Sequence, residues 1–280
     1  MTPITHHPFE FHIWKIPVTG FGIAMVMAFV IAQYACETEM ERRGHDPKPF
    51  ADITLGAVIG GLLGAHIYYA ILVHDITALL HRAGFVFWGG LVGGIIGTYY
   101  VMVRKRLPFT RISDLTAPGL AAAYSVGRTG CWAVGDDYGR PWDGFFAVKF
   151  PFGAPPSNVY NLTKFGVKFP PDRPLTDIVS VYPTQLIEVT LAFVMFVILW
   201  RLRDHRHAEG WLFGVYCVLA GLERFIIEFF RAKDDRFFGP FTMAQMIALA
   251  FAAFGVWWMQ ARRTPGPGRP GIYAEPAAAA

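Results

Sequence analysis

Charge is what this sequence is short of. Asp, Glu, Lys and Arg make up 16% of its 280 residues, against about 25% in a soluble domain, so a solvated surface over the whole chain is excluded. Cysteine is scarce as well. Cys36, Cys131 and Cys217 stand far apart, with no CxxC and no Cys/His pair at ligand spacing, which argues against a disulfide framework or a zinc site. No basic stretch leads into the first apolar run, so a cleavable signal peptide is not expected. No repeat of about 20 to 50 residues is found. The formal charge of +4 comes without a basic–aromatic stripe; it reads as membrane topology and anionic-lipid contact, not nucleic-acid binding.

What fills the chain instead is apolar sequence, with a mean hydropathy of +0.36. Runs of roughly bilayer-spanning length lie near 17–35, 53–73, 84–103, 112–134, 184–202, 211–230 and 240–260. The expected fold is therefore all-α and integral to the membrane, with seven transmembrane helices. Arg42, Arg43 and Lys48, then Arg104, Lys105, Arg106 and Arg111, then Arg201, Arg203 and Arg206, and finally Arg262, Arg263 and Arg269 occupy alternate connections. Basic connections stay in the cytoplasm, which predicts an N-out, C-in chain. Residues 1–264 are expected to form one membrane domain with a small outward-facing subdomain over 135–183. Residues 265–280, rich in Pro, Gly and Ala, are expected to be a disordered tail. Within the outward loop, "FFAVKF" and "NLTKFGVKF" suit short strands or an aromatic skirt at headgroup depth, and "YPTQLIE" restarts a helix with Pro183 at its first turn.

Ionisable groups in apolar spans are costly and usually functional. In "GLERFIIEFFRAKDD" Arg224, Glu228 and Arg231 stand at i, i+4 and i+7, one helical face, with Glu223 about 100° away. Such a ladder neutralises one arginine and leaves another to grip an anion with its planar fork; it also suits a structural ion pair between helices. In "GRTGCWAVGDDYGR" Arg128 reaches the same outward side among Gly127, Gly130, Gly135 and Gly139. The glycines permit close approach of backbone or lipid and tight turns. Two arginines converging in an apolar cavity suggest a phospholipid headgroup pocket. The third apolar run, "FVFWGGLVGGIIGTYY", has five glycines, which permit close packing or leave room for a lipid.

The stretches "WGGLVGGIIG", "GRTGCWAVGDDYGR", "YPTQLIE" and "GLERFIIEFFRAKDD", in this order, resemble the prolipoprotein diacylglyceryl transferases over most of residues 17–260. The resemblance implies seven spans, N-out and C-in, in the bacterial inner membrane. It implies transfer of the diacylglyceryl group of phosphatidylglycerol to the lipobox cysteine of a secreted preprotein, with glycerol phosphate leaving and no cofactor or metal. By the same resemblance Arg128 and Arg224 hold the phosphate, and Gly127, Gly130, Gly135, Gly139, Gln185, Glu188, Glu228 and Arg231 fill motif positions. The sequence also departs from the family pattern. Trp88 stands where the family has a histidine, Cys131 where it has an asparagine, and Asp136 where it has a glutamate. Val134, Phe21 and Tyr182 replace an asparagine, a tyrosine and a histidine.

The chemistry is displacement at the glyceryl carbon bearing the phosphoester. It calls for charge stabilisation on the departing phosphate and removal of the thiol proton. Arg128 and Arg224 suit the first task. For the second, His66 lies well inside a span and is either a replacement base or a satisfied core histidine. Asp136 and Asp137 lie nearer the mouth and either accept a proton or pair with Arg128 and Arg140. Cys131 is a small packing residue or a nucleophile. Trp88 and Cys131 are expected to line the substrate site. A related transferase with another acceptor, or a non-catalytic lipid-binding membrane protein, are the alternatives.

Overall fold

The computed structural model describes residues 3–14, 16–75, 77, 86–232, 236–238, 241–268 and 270–272. Every apolar run becomes a helix. They are α1 (Gly20–Arg42), α2 (Pro49–Val73), α3 (Phe87–Arg104), α4 (Phe109–Val134), α6 (Thr184–Leu202), α7 (Trp211–Ile227) and α8 (Met243–Ala261), with a short α5 (Val159–Lys164) in the long connection. Short strands accompany them: β1 (Ile4–Thr5), β2 (Glu10–Ile13), β3 (Ile16–Thr19), β4 (Val148–Lys149), β5 (Ser180–Val181), β6 (Arg236–Phe238) and β7 (Phe241–Thr242). Among the described residues, α1, α2, α6 and α8 are long and apolar enough to cross a membrane. This is an α-helical membrane protein.

The chain forms two compact units, residues 33–116 and residues 1–32 with 117–280, whose boundaries fall inside α1 and α4. In the first of these, α2 and α3 lie back to back on facing glycines. A Cβ on Gly93 would strike the Gly60 carbonyl and come within 2.8 Å of the Gly64 Cα, and one on Gly97 would strike the Gly56 carbonyl. Helices approach this closely in lipid only where side chains are absent. Cys36, Met40, Phe50, Ile53, Met102, Ile112 and Leu115 close the unit's core. Glu39 is buried there and accepts from Arg42 and Arg43 at 2.7–2.8 Å.

In the second unit, α4, α6 and α7 meet on Ala117, Ala121, Met195, Leu199, Leu212 and Val215, while α7 and α8 cross at Gly214–Gly255 and Gly221–Ala248. Thr242 and Gln245 cap α8 reciprocally. The long connection folds over a core of its own: Tyr138, Val148, Phe150, Val159, Leu162, Val179 and Val181. Its sheet runs β1–β4–β5, with β1 parallel to β4 and β5 antiparallel. His6, next to β1, is buried against Trp132 and Phe150. "FFAVKF" does supply a strand, β4. "NLTKFGVKF" instead begins inside α5, because Asn158 caps the first turn by accepting from the Asn161 N–H at 2.9 Å. Part of the segment read as a tail is tied down: Gly271 bridges Ala208 and Ile272 is buried. Residues 269 and 273–280 lie outside the described ones.

Gly93→Val should loosen the α2–α3 pair by about 1–3 kcal/mol, the cost of overpacking a closed contact. Gly90→Ala, whose Cβ meets Ala65 at an ordinary 3.5 Å, should be neutral or gain up to ~1 kcal/mol from helix propensity. Thermal unfolding in detergent separates the two; equal melting temperatures would contradict the close contact.

Candidate active site

The site is built where α4 stops. Tyr124, Arg128 and Cys131 stand at i, i+4 and i+7 and share one face of that helix. Gly135 then enters the left-handed region with φ +71°. The Asp136 N–H reaches the Cys131 carbonyl at 3.1 Å and the Gly135 N–H the Trp132 carbonyl at 3.1 Å, a Schellman stop. Asp137 is also left-handed, at φ +55°. These two left-handed residues, with Asp136 between them, fold the chain back, so the Asp137 carboxylate returns onto Arg128.

From there a ring of alternating charge closes through three helices. Arg128 Nη1 donates to Asp137 Oδ2 at 2.9 Å, and Arg128 Nη2 pairs with Glu188 of α6. Arg231 Nη2 donates to the other Asp137 oxygen at 3.1 Å. Arg231 Nε stands 3.9 Å from Glu228, which pairs with Arg224 at 2.7 Å. On the far side of Glu188, the Tyr124 hydroxyl lies 3.1 Å from Glu188 Oε1 and 3.3 Å from Glu223 Oε1. The path therefore begins at Glu223 and ends at Arg224, adjacent residues of α7.

Burial makes these contacts obligatory. Arg128 is 8% exposed, Glu188 2%, Glu228 4% and Glu223 7%, and a charge so enclosed stays only if paired. The first turn of α6 fixes the returning backbone: the Thr184 hydroxyl donates to the Asp137 carbonyl at 2.7 Å, and Gln185 Nε2 donates to the Asp136 carbonyl. Two guanidinium nitrogens, Arg128 Nε and Arg224 Nη1, are buried with no hydrogen-bond partner among the described residues. Unsatisfied cationic donors are what an incoming phosphate oxygen would meet. The Asp136 carboxyl is pushed up by burial and then by the neighbouring Asp137 charge. Asp137 goes the other way: partial burial raises it, but Arg231 and Arg128 outweigh burial and hold it below the usual aspartate range. Cys131 Sγ and the two aspartates lie within 4.8 Å of one another. The Arg128 guanidinium, 3.1 Å from that sulfur, already supplies positive charge there.

Arg128, Glu188, Glu228, Arg231, Arg224, Cys131, Asp136 and Gln185 are thus brought into one network. Three expectations change in detail. The helix carrying the Arg224–Glu228–Arg231 ladder ends at Ile227, and Arg231 sits beyond it, bridged to Gly139. Asp137 pairs with Arg128 and Arg231, whereas Arg140 Nε donates to the Arg231 carbonyl at 3.4 Å. Cys131 is buried, yet it contacts Arg128 rather than serving as apolar filling alone. Of the glycines, Gly130 packs on α1 near Ala24, and Gly139 lets its strand slip between Tyr182 and Phe230. A Cβ on Gly127 would meet nothing within 4 Å, so Gly127 alone of the four lies beside open space. His66 on α2 is half-buried and Trp88 on α3 is exposed; both belong to the other unit. Lys233, Asp234 and Asp235 lie outside the described residues. Sequence reasoning left Tyr124, Thr184 and Glu223 without a role. Tyr124 was findable, because it stands one turn before Arg128 on the same face.

Helical membrane proteins with a buried arginine–carboxylate network at a helix end form a broad class, and sequence comparison narrows it. Residues 8–261 match the family described as prolipoprotein diacylglyceryl transferase, and the chain belongs to that family. Proteins named phosphatidylglycerol–prolipoprotein diacylglyceryl transferase are similar over nearly their full length. That of Geobacter sulfurreducens is 27% identical, over 93% of this chain and 97% of its own. That of Stenotrophomonas maltophilia is 29% identical over 92% of each chain. The Clostridium tetani protein is 25% identical, over 89% of this chain and 95% of its own.

Because its folded value is depressed, Asp137 contributes stability that is complete above the ordinary aspartate value of about 4 and is lost as the pH falls through the lower folded value. Wild type should therefore outlast Asp137→Asn in thermal unfolding at pH 7, and the two should converge below about pH 3. A gap that stays constant across that range would refute the Arg231–Asp137–Arg128 linkage.

Proposed function

We propose that this protein transfers the diacylglyceryl group of phosphatidylglycerol to the lipobox cysteine thiol of a secreted preprotein. It does so as a seven-span, N-out, C-in enzyme of the bacterial inner membrane, with residues 135–183 as an outward cap. The single observation that carries this reading is the arginine–carboxylate network with two buried, unsatisfied guanidinium nitrogens, Arg128 Nε and Arg224 Nη1, in a chain of the transferase family.

The thiol sulfur forms a bond to the glyceryl carbon as the carbon–oxygen bond to phosphate breaks, and the electron pair leaves on the phosphate oxygen. Arg128 and Arg224 are placed to receive that charge through Arg128 Nε and Arg224 Nη1. Glu188 and Glu228 fix the guanidinium planes, since each grips one edge and leaves other donors to the substrate. Gly127, beside open space, fits a wall against which the lipid lies. Gly130, Gly135 and Gly139 set the helix packing and the returning turn, while Gln185, Arg231 and Cys131 hold that turn in place. Proton removal from the thiol falls to Asp136, whose raised carboxyl is closer to neutrality than a free aspartate. Trp88 fits an apolar wall on α3.

Purified enzyme with phosphatidylglycerol vesicles and a lipobox peptide should release glycerol phosphate and lipidate the peptide. It should also sustain cells depleted of their own diacylglyceryl transferase. Arg128→Lys and Arg224→Lys should each cost on the order of a hundred- to a thousandfold in rate, because a point charge cannot replace an oriented fork. Near-normal rates in both would remove the headgroup assignment. Cys131→Ser should keep most turnover, since a hydroxyl still accepts from Arg128; a dead variant with a lipid adduct on wild-type Cys131 would make that thiol a nucleophile instead.

A further inference from the structure

The Tyr124 hydroxyl has one hydrogen and stands between two carboxyl groups, 3.1 Å from Glu188 and 3.3 Å from Glu223. It can donate to only one of them. The second short oxygen–oxygen contact then needs a hydrogen from the other side, so one carboxyl must carry a proton. Arg128 decides which. Its Nη2 pairs with Glu188, and a guanidinium stabilises the ionised form of the group it touches. The proton therefore belongs on Glu223, with Glu223 donating to Tyr124 and Tyr124 donating to Glu188. We propose that Glu223 is held as a neutral acid, and that Glu223 and Tyr124 together are positioning residues that set how tightly Glu188 holds Arg128.

Charge around the site points the same way. The guanidinium groups of Arg128, Arg224 and Arg231 face five carboxyl groups, those of Asp136, Asp137, Glu188, Glu223 and Glu228. With every one ionised the cluster is a net anion and repels a phosphodiester. A proton on Glu223 removes one of these negative charges and leaves Asp136 ionised to accept the thiol proton. The titratable groups facing Glu223 are Tyr124 and Arg128 from α4, Glu188 from α6, and Arg224 and Tyr216 on its own helix. The α8 helix packed beside it has no ionisable side chain. With Glu223 neutral, Tyr124 points its hydrogen at Glu188 and drains part of that carboxylate's charge. Glu188 then orients Arg128 without saturating it, and Arg128 Nε stays available to the phosphate.

The inference rests on the headgroup reading of Arg128, but its test does not depend on turnover alone. Infrared spectra of the full-length protein in lipid nanodiscs, in H₂O and D₂O at neutral pH, should show a protonated carboxyl C=O band. That band should disappear in Glu223→Gln and persist in Asp136→Asn. Because an amide reproduces the neutral acid as a donor, Glu223→Gln should keep most transfer activity. Tyr124→Phe should lose about tenfold, the equivalent of one hydrogen bond of ~1.4 kcal/mol. A spectrum that is unchanged in Glu223→Gln overturns the proposal. So does a Glu223→Gln variant that is folded, binds phosphatidylglycerol vesicles and is as impaired as Glu223→Ala. If wild type transfers nothing while the band still vanishes in Glu223→Gln, the headgroup reading fails and the shared proton stands.

Discussion

Arg128 buried against Glu188 is the contact on which the rest of the site depends. A guanidinium enclosed to this degree destabilises the protein by several kcal/mol unless its charge and N–H groups are met. One carboxylate cannot meet them all. The chain therefore stops α4 with Gly135, turns back through two left-handed residues, and delivers Asp137 to the same guanidinium. Thr184 and Gln185 at the start of α6 hold that return in place by its carbonyls. Glu188 lies one turn further along α6, so the residues that fix the turn and the one that pairs with Arg128 move as a single piece. Removing either acid leaves a buried cation partly unpaired, which is why the site and the stability of this half of the protein are difficult to separate.

The cap follows from the same demand. A turn bearing two aspartates at the end of a helix needs a framework to hold it, and lipid offers none. Phe150, Leu162 and Val181 supply a small apolar core, and β1 from the N-terminal segment adds a parallel strand to it. Gly139 ties the turn to Arg231 on one side, and the Tyr182 carbonyl accepts from its N–H at 2.9 Å on the other. Trp142 stacks on Tyr182 with ring centroids 4.3 Å apart. Aromatic residues that suggested a headgroup skirt in the sequence thus serve in part as internal packing.

The helical frame was legible because lipid demands long apolar runs, and all seven runs became helices with ends shifted by a few residues. Arg128, Glu228 and Arg231 were legible too, since charge in such runs is rare enough to stand out; Glu188 was marked only by the family resemblance. Their connections were less so. Periodicity put Arg231 on the helix with Arg224, but the helix ends at Ile227 and the turn presents Arg231 to Asp137 instead. Glu223 pointed away from the ladder, and that is the direction in which Tyr124 waits. A tyrosine in an apolar run carries no warning of what its hydroxyl touches; that depends on α4 and α7 being neighbours, which a one-dimensional pattern does not contain. The glycine roles divide in a similar way. A glycine can be recognised in sequence, but whether it makes room for a carbonyl, as at Gly139, or for nothing, as at Gly127, is settled only by packing.

The ring of charges begins and ends on consecutive residues of α7, and this gives the helix a mechanical property. Glu223 and Arg224 project about 100° apart around its axis. Glu228 caps the same helix, so its pair with Arg224 turns with α7 as one piece. Glu223 instead reaches Tyr124 on α4, and Arg231, just past the helix end, reaches Asp137. The network therefore works as a protractor for α7: a rotation of the helix stretches these two outside contacts while the Arg224–Glu228 pair rides along unchanged.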